Sequence, residues 1–518
     1  MPKIVTVEEM SQIERAADAS GHSFAQMMEH AGKSIADAVL ARIPDITGKH
    51  VLVLAGPGNN GGDGLIAARW LAEAGATLAI YLTKERPADD PYLPALKELG
   101  ILIVIGEQDQ RNRVLKLQLG RSDILVDAVL GTGFKLPLRG TAKQVLKAAK
   151  QSRSRQFVVA IDCPSGVDCD TGEVAEESLA ADLTVTLAAA KRGLFQFPGA
   201  AYVGELVIGD IGLPAQQIEL ASIKTDVVTA ESIHGLLPAR PLDAHKGTFG
   251  RALIVAGSIN YPGAAALAGR AAYLAGAGLV TLAVPTPVQS MIAAELAECT
   301  WLPLGNTLDA ASVDLLRGEW ANTQALLLGP GFGLEPKTAQ FLERLIGAGA
   351  DLPPTIVDAD GLKLMAKVEG WEARLPEGSV LTPHPGEMSV LTGTPTQEVQ
   401  AHRSELASIK AAEWGHIVIL KGALTVIAQP DGRSALIPIA TPALSRAGTG
   451  DVLAGLLVGY RAQGLASYEA SILGSYIHAR AGLLAAQTVG TAASVLAGDV
   501  ASAVPRAIAE LESLATLS

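Results

Sequence analysis

Short, wholly apolar runs alternate with amphipathic stretches along the first part of the chain. The runs HVLVLAG (His50–Gly56), TLAIYLT (Thr77–Thr83) and ILIVI (Ile101–Ile105) have the length of buried strands, and DILVDAVLG, FVVAID, LTVTLAA and ELVIGDIG follow them. The stretches VEEMSQIERAADA, SFAQMMEHAGKSIADAVLARI and GLIAARWLAEAG carry apolar residues at helical spacing. Apolar strands that alternate with helices predict a parallel sheet covered on both faces.

A second strand–helix pattern begins after IGLP (Ile211–Pro214). It starts with RALIVAGS (Arg251–Ser258) and continues through QALLLGPGFG, PTIVDADGL, GSVLTPHPGE, HIVILKGALTVIAQPDG and an Ala-rich helical tail. The motifs of the two halves differ in kind and order, so the pattern indicates a fusion of two α/β domains and not an internal repeat. We place the boundary near Leu220, which gives domains over residues 1–220 and 221–518.

One apolar stretch has nearly the length of a membrane span. GAAALAGRAAYLAGAGLVTLAVP (Gly263–Pro285) contains Arg270 and several glycines and ends in a strand pattern. We interpret it as a buried helix, a glycine turn and a buried strand, since a span needs about 20 consecutive apolar residues. The first residues lack the apolar core of a secretory signal, and we expect a cytoplasmic protein that does not bind membranes.

Composition narrows the class of protein. The chain has 518 residues, of which 49% are hydrophobic and 18% charged, so it can bury a large core and is not intrinsically disordered. Its 41 basic and 53 acidic residues give a net charge of −12, which argues against a general nucleic-acid binder but leaves a local basic pocket possible. Cys163, Cys169 and Cys299 are too few for a disulfide framework or a four-thiolate zinc site, and we expect reduced thiols.

The segment AGPGNNGGDGLIAARWL runs from a strand into a helix. Its five glycines are expected to turn the backbone tightly and to present N–H groups to an anion, most simply a phosphate, at the start of a helix. A tight turn without a ligand is the alternative. Asn59, Asn60 and Asp63 favour a ligand, because a turn alone does not need three polar side chains.

Polar side chains also stand at the ends of two later strands. Asp127 lies near the end of one strand, and Asp162 and Ser165 lie at the end of the next. Ligands bind at the carboxyl edge of an open parallel sheet, so these residues are expected to converge with Asn60. An oxygen-rich set suits a hard cation and a polyhydroxyl substrate, not zinc. Helix caps and Asx turns are the alternative roles.

GPGNNGGDG, VDAVLGTG and IDCPSGVDCDTG closely resemble the NAD(P)H-hydrate epimerase domain over roughly residues 1–215. The resemblance implies a Rossmann-like three-layer sandwich, a potassium ion held by Asn60, Asp127 and Ser165, and proton transfer by Asp127, with Lys191 as a second candidate whose structural role we favour. It also implies that the hydrated NADH or NADPH contacts residues of three segments. These are Asn59, Asn60, Gly61, Gly62, Asp63, Gly131, Thr132, Gly133, Phe134, Lys135, Leu136, Pro137 and Asp162.

The segment TPALSRAGTGDVLAGLLVGYRAQG carries the chemistry of the second half. Residues 447–450 are a small-residue loop that leads into an apolar helix, and their N–H groups can hold a phosphoryl oxygen as charge builds on it. Asp451 follows directly and could accept the proton of a substrate hydroxyl that attacks phosphorus. A plain helix cap is the alternative for Asp451.

The GTGD feature resembles the ribokinase-like superfamily, and HKGTFGRALIVAGS, GAAALAGRAAYLAGAGLV, LLLGPGFG, TPHPGE and ILKGALT narrow the resemblance to the nucleotide-dependent NAD(P)H-hydrate dehydratases over about residues 225–505. By motif, the hydrated dinucleotide would contact Ala264, Gly331, Gly333, His384 and Asp451. The adenine nucleotide would contact Lys421, Gly422, Ala423, Leu424, Thr425 and Gly450. A turn histidine is the alternative role for His384, and Asp358 or Asp360 could help to hold magnesium.

Together the resemblances imply a bifunctional repair enzyme of the α/β class with a ribokinase-like second domain. The first half would interconvert the R and S hydrates, and the second would dehydrate the S hydrate with ADP, giving NAD(P)H, AMP and phosphate. The preference for ADP over ATP, and assembly as a tetramer or larger, are likewise implications of the family. No motif distinguishes NADH hydrate from NADPH hydrate. A small-molecule kinase and a non-catalytic scaffold for a lipoprotein or RNA factor are alternatives, which the fused epimerase-like half and the intact polar strand ends disfavour.

Overall fold

A computed structural model describes residues 1–153, 155–214 and 217–515, and the chain divides between Ile223 and Lys224 into two units. The strands of the first unit are β1 (Ile4–Val5), β2 (His50–Ala55), β3 (Thr77–Leu82), β4 (Leu102–Ile105), β5 (Ile124–Ala128), β6 (Phe157–Ile161), β7 (Leu183–Leu187), β8 (Ala190–Lys191) and β9 (Glu205–Gly209). Its helices are α1 (Val7–Ala19), α2 (Phe24–Arg42), α3 (Asn59–Glu73), α4 (Leu93–Glu98), α5 (Arg113–Leu119), α6 (Gly140–Ser152) and α7 (Ile218–Ala221).

The main sheet of the first unit is parallel throughout, in the order β4-β3-β2-β5-β6-β7-β9. Alternate residues of β2 enter two different cores. Val51 and Val53 pack with residues of α2 and α3 on one face, whereas Leu52 and Leu54 pack with residues of α5 and α6 on the other. The alternation of strands and helices therefore predicted the three-layer sandwich correctly.

The order of strands reverses beside β2 in this sheet. The chain runs outward from β2 to β3 and β4 and then returns to β5 on the other side of β2. Such a switch point opens a crevice at the carboxyl ends of the two central strands. Asn59 follows β2 and Asp127 lies in β5, so the fold itself brings the first set of polar residues to this crevice.

The second unit has the strands β10 (Thr225–Val227), β11 (Arg251–Val255), β12 (Leu279–Val284), β13 (Thr300–Pro303), β14 (Ala325–Leu328), β15 (Thr355–Val357), β16 (Val380–Leu381), β17 (Ile417–Leu420), β18 (Val426–Ala428) and β19 (Ser434–Leu436). Its helices are α8 (Ala230–Ile233), α9 (Pro262–Leu274), α10 (Thr286–Ile292), α11 (Ser312–Arg317), α12 (Pro336–Ile346), α13 (Asp360–Met365), α14 (Pro385–Thr392), α15 (Thr396–Ala401), α16 (Arg403–Trp414), α17 (Thr449–Ala462), α18 (Ser467–Val489) and α19 (Ala497–Ala515).

The ten strands described in the second unit form one sheet in the order β10-β19-β18-β17-β16-β15-β14-β11-β12-β13. Pairing is parallel except at β17–β18 and β18–β19, which are antiparallel. The switch point lies between β11 and β14, and the chain segments that follow β14, β15, β16 and β17 all leave the same edge of the sheet.

Helix α17 packs closely against α9, and a glycine makes this possible. A Cβ atom at Gly455 would lie 2.3 Å from the carbonyl oxygen of Ala268, so no larger residue fits there without a shift. The contact fixes the position of α17 and hence of its N-terminus. The apolar stretch that includes α9 forms a helix followed by β12, as predicted, and none of the described helices is long and apolar enough to cross a membrane.

Candidate functional site

The glycine-rich segment of the first unit is helical, which corrects the prediction of a tightly turned loop. Helix α3 begins at Asn59 with Gly58 as its N-cap, so Gly61, Gly62 and Gly64 lie inside its first two turns. Their role is close packing: a Cβ at Gly61 would lie 2.0 Å from the Gly56 carbonyl oxygen, and one at Gly64 would lie 2.6 Å from the Ala128 Cβ. The glycines bring the N-terminus of α3 onto the strand ends, where its N–H groups can face an anion.

Asn60, Asp127 and Ser165 meet at the switch point, as the strand-end argument predicted. The Ser165 hydroxyl donates to Asp127 Oδ1 at 2.6 Å and the Ser165 N–H to Oδ2 at 2.9 Å. The Leu130 N–H donates to Ser165 Oγ at 2.8 Å, and Asn60 Nδ2 donates to the Leu130 carbonyl at 3.0 Å. The three side chains are at most 8% exposed.

One atom of this network has no partner. The Oδ1 of Asn60 is buried and accepts no hydrogen bond among the described residues, and burial raises the pKa of Asp127 while its bonds to Ser165 oppose the shift. The three side chains together offer an unpartnered amide oxygen, a hydroxyl and one carboxylate, which are oxygen donors with a single negative charge. These residues therefore fit a monovalent cation better than magnesium, which prefers more anionic partners.

Asp162 and Lys191 form a second buried pair in the same unit. The Lys191 ammonium donates to Asp162 Oδ1 and also to the Leu187 carbonyl, at 2.9 Å from the latter, and Asp162 has a left-handed backbone with φ of +63°. A non-glycine residue in this conformation is strained, and such strain is concentrated at functional sites. Every donor of Lys191 that is described has a structural partner, which supports the structural role that we favoured.

Two further carboxyl groups face this pair. Burial raises the pKa of Asp63 well above its usual value, and the charges of Asp162 and Glu14 add to the effect. Burial also raises the pKa of Glu14, with Lys191 opposing. Sequence reasoning missed Glu14, because it lies on α1, far from the glycine segment in the chain. Its position beside the buried Ile13 on an amphipathic helix gave no sign of a site.

The loop over residues 131–137, which is predicted to contact the hydrated cofactor, is more exposed to solvent than Asn60, Asp127 and Ser165. Gly131 adjoins Asn60, since a Cβ there would lie 3.1 Å from the Asn60 Cβ. Thr132, Gly133, Lys135 and Pro137 are exposed. Phe134 and Leu136 pack partly against the core on the α5 and α6 side of the sheet.

The second site begins at the N-terminus of α17, where Gly448 is the N-cap in a left-handed conformation with φ of +90°. Thr449, Gly450 and Asp451 therefore form the first turn. The Thr449 N–H donates to the Arg446 carbonyl at 3.4 Å, whereas the N–H groups of Gly450 and Asp451, with the helix dipole, favour an anion. A Cβ at Gly450 would lie 3.6 Å from Lys421 Nζ. The Lys421 ammonium therefore lies against the first turn of α17.

Lys421 is held between two acidic residues. Its Nζ lies 2.6 Å from Asp358 Oδ1 and 3.7 Å from Glu387 Oε2, and the Thr382 hydroxyl donates to the same Asp358 oxygen at 2.6 Å. Burial lowers the pKa of Lys421, but the carboxylates outweigh burial and leave it raised. Glu387 was not among the predicted site residues, although the sequence TPHPGE contains it.

Asp451 has the electrostatics of a base that works near neutral pH. Burial raises its pKa to about 7, the charges of Asp358, Asp360 and Glu387 add to the shift, and Lys421 opposes it. A carboxyl whose pKa lies near the working pH can both accept and release a proton. Its carboxylate also lies near the helix cap, 4.0 Å from the position of a Cβ at Gly448.

The predicted dinucleotide contacts lie on neighbouring segments. A Cβ at Gly331 would lie 2.8 Å from the Ala264 Cβ, and Gly331 has φ of +65°, so these two residues adjoin each other. The Gly333 N–H donates to Asp360 Oδ2 at 3.0 Å.

His384 is the N-cap of α14, and its Nδ1 accepts the N–H groups of Gly386 and Glu387 at 2.9 and 3.3 Å. Nδ1 therefore has the hydrogen bonds expected of a turn histidine, which is the alternative role, but that role does not account for Nε2. The side chain is half exposed, with Nε2 at 3.3 Å from Glu387 Oε1.

The segment Lys421–Thr425 makes a tight turn after β17. Leu424 has φ of +58° and Gly422 φ of +145°, and the Thr425 hydroxyl donates to the Gly422 carbonyl at 2.9 Å. Among the described residues, no group of three His, Cys, Asp or Glu side chains is arranged to hold a metal ion by itself. Magnesium usually binds through one or two carboxylates together with substrate phosphates. The carboxylates around Asp451 fit magnesium in this way, with the nucleotide present, but not as a complete protein site.

Comparison with known families gives two matches that together span most of the chain. Residues 24–193 match the YjeF-related protein N-terminus, and residues 252–506 match the NAD(P)H-hydrate dehydratase family. The first match contains Asn60, Asp127 and Ser165, and the second contains Lys421 and Asp451.

Relatives cover the two halves as one protein. A bifunctional NAD(P)H-hydrate repair enzyme from Moorella thermoacetica is 36% identical over 527 residues, which cover 98% of this chain and 97% of the relative. One of the same description from Thermofilum pendens is 35% identical over 500 residues, covering 94% and 93%. The crystal structure of a ribokinase-like superfamily protein from Enterococcus faecalis V583 has a TM-score of 0.50 at 24% identity, covering 56% of this chain and 96% of that protein, which shows the fold of the second unit.

Proposed function

The chain belongs to the family of bifunctional NAD(P)H-hydrate repair enzymes, and on that premise we propose how its two sites divide the reaction. The protein is an enzyme that restores hydrated NADH and NADPH by epimerisation and dehydration. Residues 1–220 would carry the epimerase site and residues 221–518 the dehydratase site. The observation that carries the proposal is the carboxylate of Asp451 at the N-terminus of α17, with a pKa of about 7.

In the proposed dehydration, Asp451 accepts the proton of the hydroxyl group of the S hydrate as that oxygen attacks the terminal phosphorus of ADP. The N–H groups of the first turn of α17, including that of Gly450, donate hydrogen bonds to the phosphoryl oxygens and stabilise the negative charge that builds on these oxygens. The phosphorylated hydrate then loses phosphate from one ring carbon and a proton from its neighbour, which restores the ring double bond, and AMP is the other product. Phosphate leaves far more readily than hydroxide, which is the reason for consuming a nucleotide.

We assign the remaining predicted contacts of this unit to the two substrates. Ala264, Gly331, Gly333 and His384 would bind the hydrated dinucleotide, since the first two adjoin each other and Gly333 is tied to Asp360. The segment Lys421–Thr425 and Gly450 would bind the adenine nucleotide, because Lys421 adjoins Gly450. Magnesium would be held by the nucleotide phosphates with Asp358 or Asp360, and it would neutralise phosphate charge when bound.

In the epimerase site we propose that Asn60, Asp127 and Ser165 hold potassium. The support is the unpartnered Asn60 Oδ1 and the buried Asp127 carboxylate beside it. The ion would neutralise part of the Asp127 charge and anchor the hydrated cofactor, whose other contacts would be residues 59–63, residues 131–137 and Asp162. Asp127 remains our candidate for proton transfer, because it is the carboxylate among these three residues.

The ion is tested by measuring epimerisation in potassium, sodium and magnesium salts of equal ionic strength. We expect activity in potassium and little in magnesium. Equal activity in all three salts would contradict the potassium assignment without affecting the proposed role of the dehydratase site.

We further propose that the enzyme acts in the cytoplasm and that it is a homo-oligomer of four or more chains. Sedimentation of the purified protein tests the number of chains directly.

The reaction itself is tested by product analysis. The full-length enzyme, given the S hydrate of NADH with ADP and magnesium, should form NADH, AMP and phosphate in equal amounts. Accumulation of a phosphorylated hydrate without NADH would indicate a small-molecule kinase, and no consumption of ADP would contradict the nucleotide assignment.

A further inference from the structure

Arg403 reaches the nucleotide segment from helix α16. Its guanidinium donates to the carbonyl oxygens of Leu420 and Lys421, at 2.9 and 3.3 Å, and to the Gln400 side chain at 3.2 Å. Leu420 is the last residue of β17, and Lys421 begins the turn Lys421–Thr425. No motif of the sequence drew attention to Arg403.

The guanidinium lies directly against the backbone of this turn. A Cβ atom at Gly422 would lie 2.8 Å from Nη1 and 3.1 Å from Nη2 of Arg403, and Gly422 has φ of +145°. The backbone conformation favours a glycine, and a larger residue would also displace the guanidinium. Arg403 therefore packs directly on the backbone of the nucleotide segment.

The charges of Lys421 and Arg403 are satisfied differently. Lys421 lies 2.6 Å from the Asp358 carboxylate and 3.7 Å from that of Glu387, so its charge is already paired. In the part of the chain that the structure describes, Arg403 donates only to neutral oxygens and makes no ion pair. Burial lowers its pKa to about 10, which leaves it charged at neutral pH.

A partly buried cation that lacks an anion is unfavourable, and neutral carbonyl oxygens compensate it only in part. The same site holds the Asp451 carboxyl together with Asp358, Asp360 and Glu387, whose charges act on Asp451, and this negative charge would repel a nucleotide. We propose that Arg403 binds a phosphate oxygen of the adenine nucleotide and supplies the positive charge that Lys421 cannot. The inference rests on the proposed dehydratase function, and it adds a phosphate-recognising residue outside the predicted contacts.

The chain offers a matched control at Arg240. Its Nη2 donates to the Gly276 carbonyl at 3.0 Å and to the Gln463 side chain at 2.7 Å, and it also lies over a glycine with a left-handed backbone, Gly276. Arg240 thus makes the same kind of contacts with the backbone as Arg403, but none of them involves a predicted site residue. Arg240→Gln therefore shows whether the loss of an arginine–carbonyl contact outside the predicted site affects ADP binding.

The test is calorimetric titration of ADP with magnesium into the full-length protein and its Arg403→Gln, Arg403→Lys and Arg240→Gln variants. Arg403→Gln should weaken ADP binding by about tenfold to a hundredfold, as expected for a lost charge-assisted hydrogen bond. Arg403→Lys should weaken it by about threefold to tenfold, because lysine keeps the charge but lacks the fork of donors. Arg240→Gln should bind ADP like the wild type.

Each other outcome has a definite meaning. ADP affinity unchanged in Arg403→Gln, or weakened equally in Arg403→Lys and Arg403→Gln, would overturn the proposal in favour of a backbone-positioning role, as would equal weakening in Arg240→Gln. If melting curves show that Arg403→Gln does not fold, unchanged affinity in Arg403→Lys would overturn it. A wild-type protein that binds no ADP would overturn the proposed function instead.

Discussion

The ammonium group of Lys421 lies 2.6 Å from a carboxylate oxygen of Asp358, and both side chains come from strand ends of one sheet. Asp358 follows β15 and is 1% exposed, while Lys421 follows β17 and also adjoins Gly450 of the first turn of α17. The pair links the nucleotide segment to the sheet and sets the charge that Asp451 experiences. It therefore connects the stability of the second unit to its chemistry.

Replacing Lys421 with methionine should destabilise the second unit by about 3–5 kcal/mol, since removing one partner leaves the other charge buried and unpaired. Lys410→Met is the control, because Lys410 also lies 2.6 Å from a carboxylate, that of Glu413, but the partner carboxylate is 55% exposed and stays solvated when the lysine is removed. That change should cost about 1 kcal/mol or less. Urea unfolding of the full-length variants measures both, and equal losses would contradict a structural role for the buried pair.

Asp451→Asn should abolish dehydration while leaving the fold and ADP binding nearly intact, because asparagine has a similar shape but cannot accept the proton. Loss of a catalytic base lowers rates by about a hundredfold to ten-thousandfold. Steady-state assays of ADP-dependent NADH formation measure the loss. Turnover above about a tenth of the wild-type value would show that Asp451 is not the base. The plain helix cap that the sequence offered as its alternative role does not fit the structure, since Gly448 is the N-cap of α17 and no side chain among the described residues caps that helix.

Dehydration should depend on pH through Asp451. The carboxyl must be ionised to act as a base, and burial raises its pKa to about 7. The rate should therefore fall about tenfold per pH unit below that value and level off above it. A pH–rate profile of kcat/KM checks this, with binding of ADP measured over the same range as the control. A profile that is flat through the acid range would show that another group accepts the proton.

Residues 1–223, produced alone, should fold and epimerise without nucleotide. The first unit contains its whole parallel sheet and both cores, and the last residues before the division, Leu220 and Ile223, pack against the cluster around Val5 and Ile13. Circular dichroism and an epimerisation assay test the fragment. An inactive but folded fragment would indicate that the second unit completes the site.

Most of what the sequence predicted follows from one rule: polar residues at the ends of neighbouring parallel strands meet at one edge of the sheet. Asp127 and Ser165 are 38 residues apart in the chain yet share two hydrogen bonds, and Asp358 and Lys421 meet in the same way across β15 to β17. Both pairs follow from parallel strands that end at one edge of a sheet. Local patterning is sufficient for such predictions, because it identifies each strand and its last residue.

What the sequence did not predict depends on packing between distant segments. The NNGGDG pattern predicts a loop, because glycine favours turns. Its glycines are instead required by close contact between α3 and the strand ends, and only the tertiary structure defines that contact. Glu14 and Arg403 reach the sites from helices whose own patterns are ordinary. Their importance arises from charge and burial at the site, and neither property is a feature of local sequence.

The central claim is that two separate sites act in sequence on one mixture of hydrates. Full-length enzyme and its Asp127→Ala variant are each given equal amounts of the R and S hydrates of NADH with excess ADP, and NADH is followed until it stops rising. The wild type should restore both epimers. The variant, having lost its cation site and epimerisation, should restore the S hydrate at the wild-type rate and leave the R hydrate. Restoration of both epimers by the variant at the wild-type rate, or loss of S hydrate dehydration, would contradict the account.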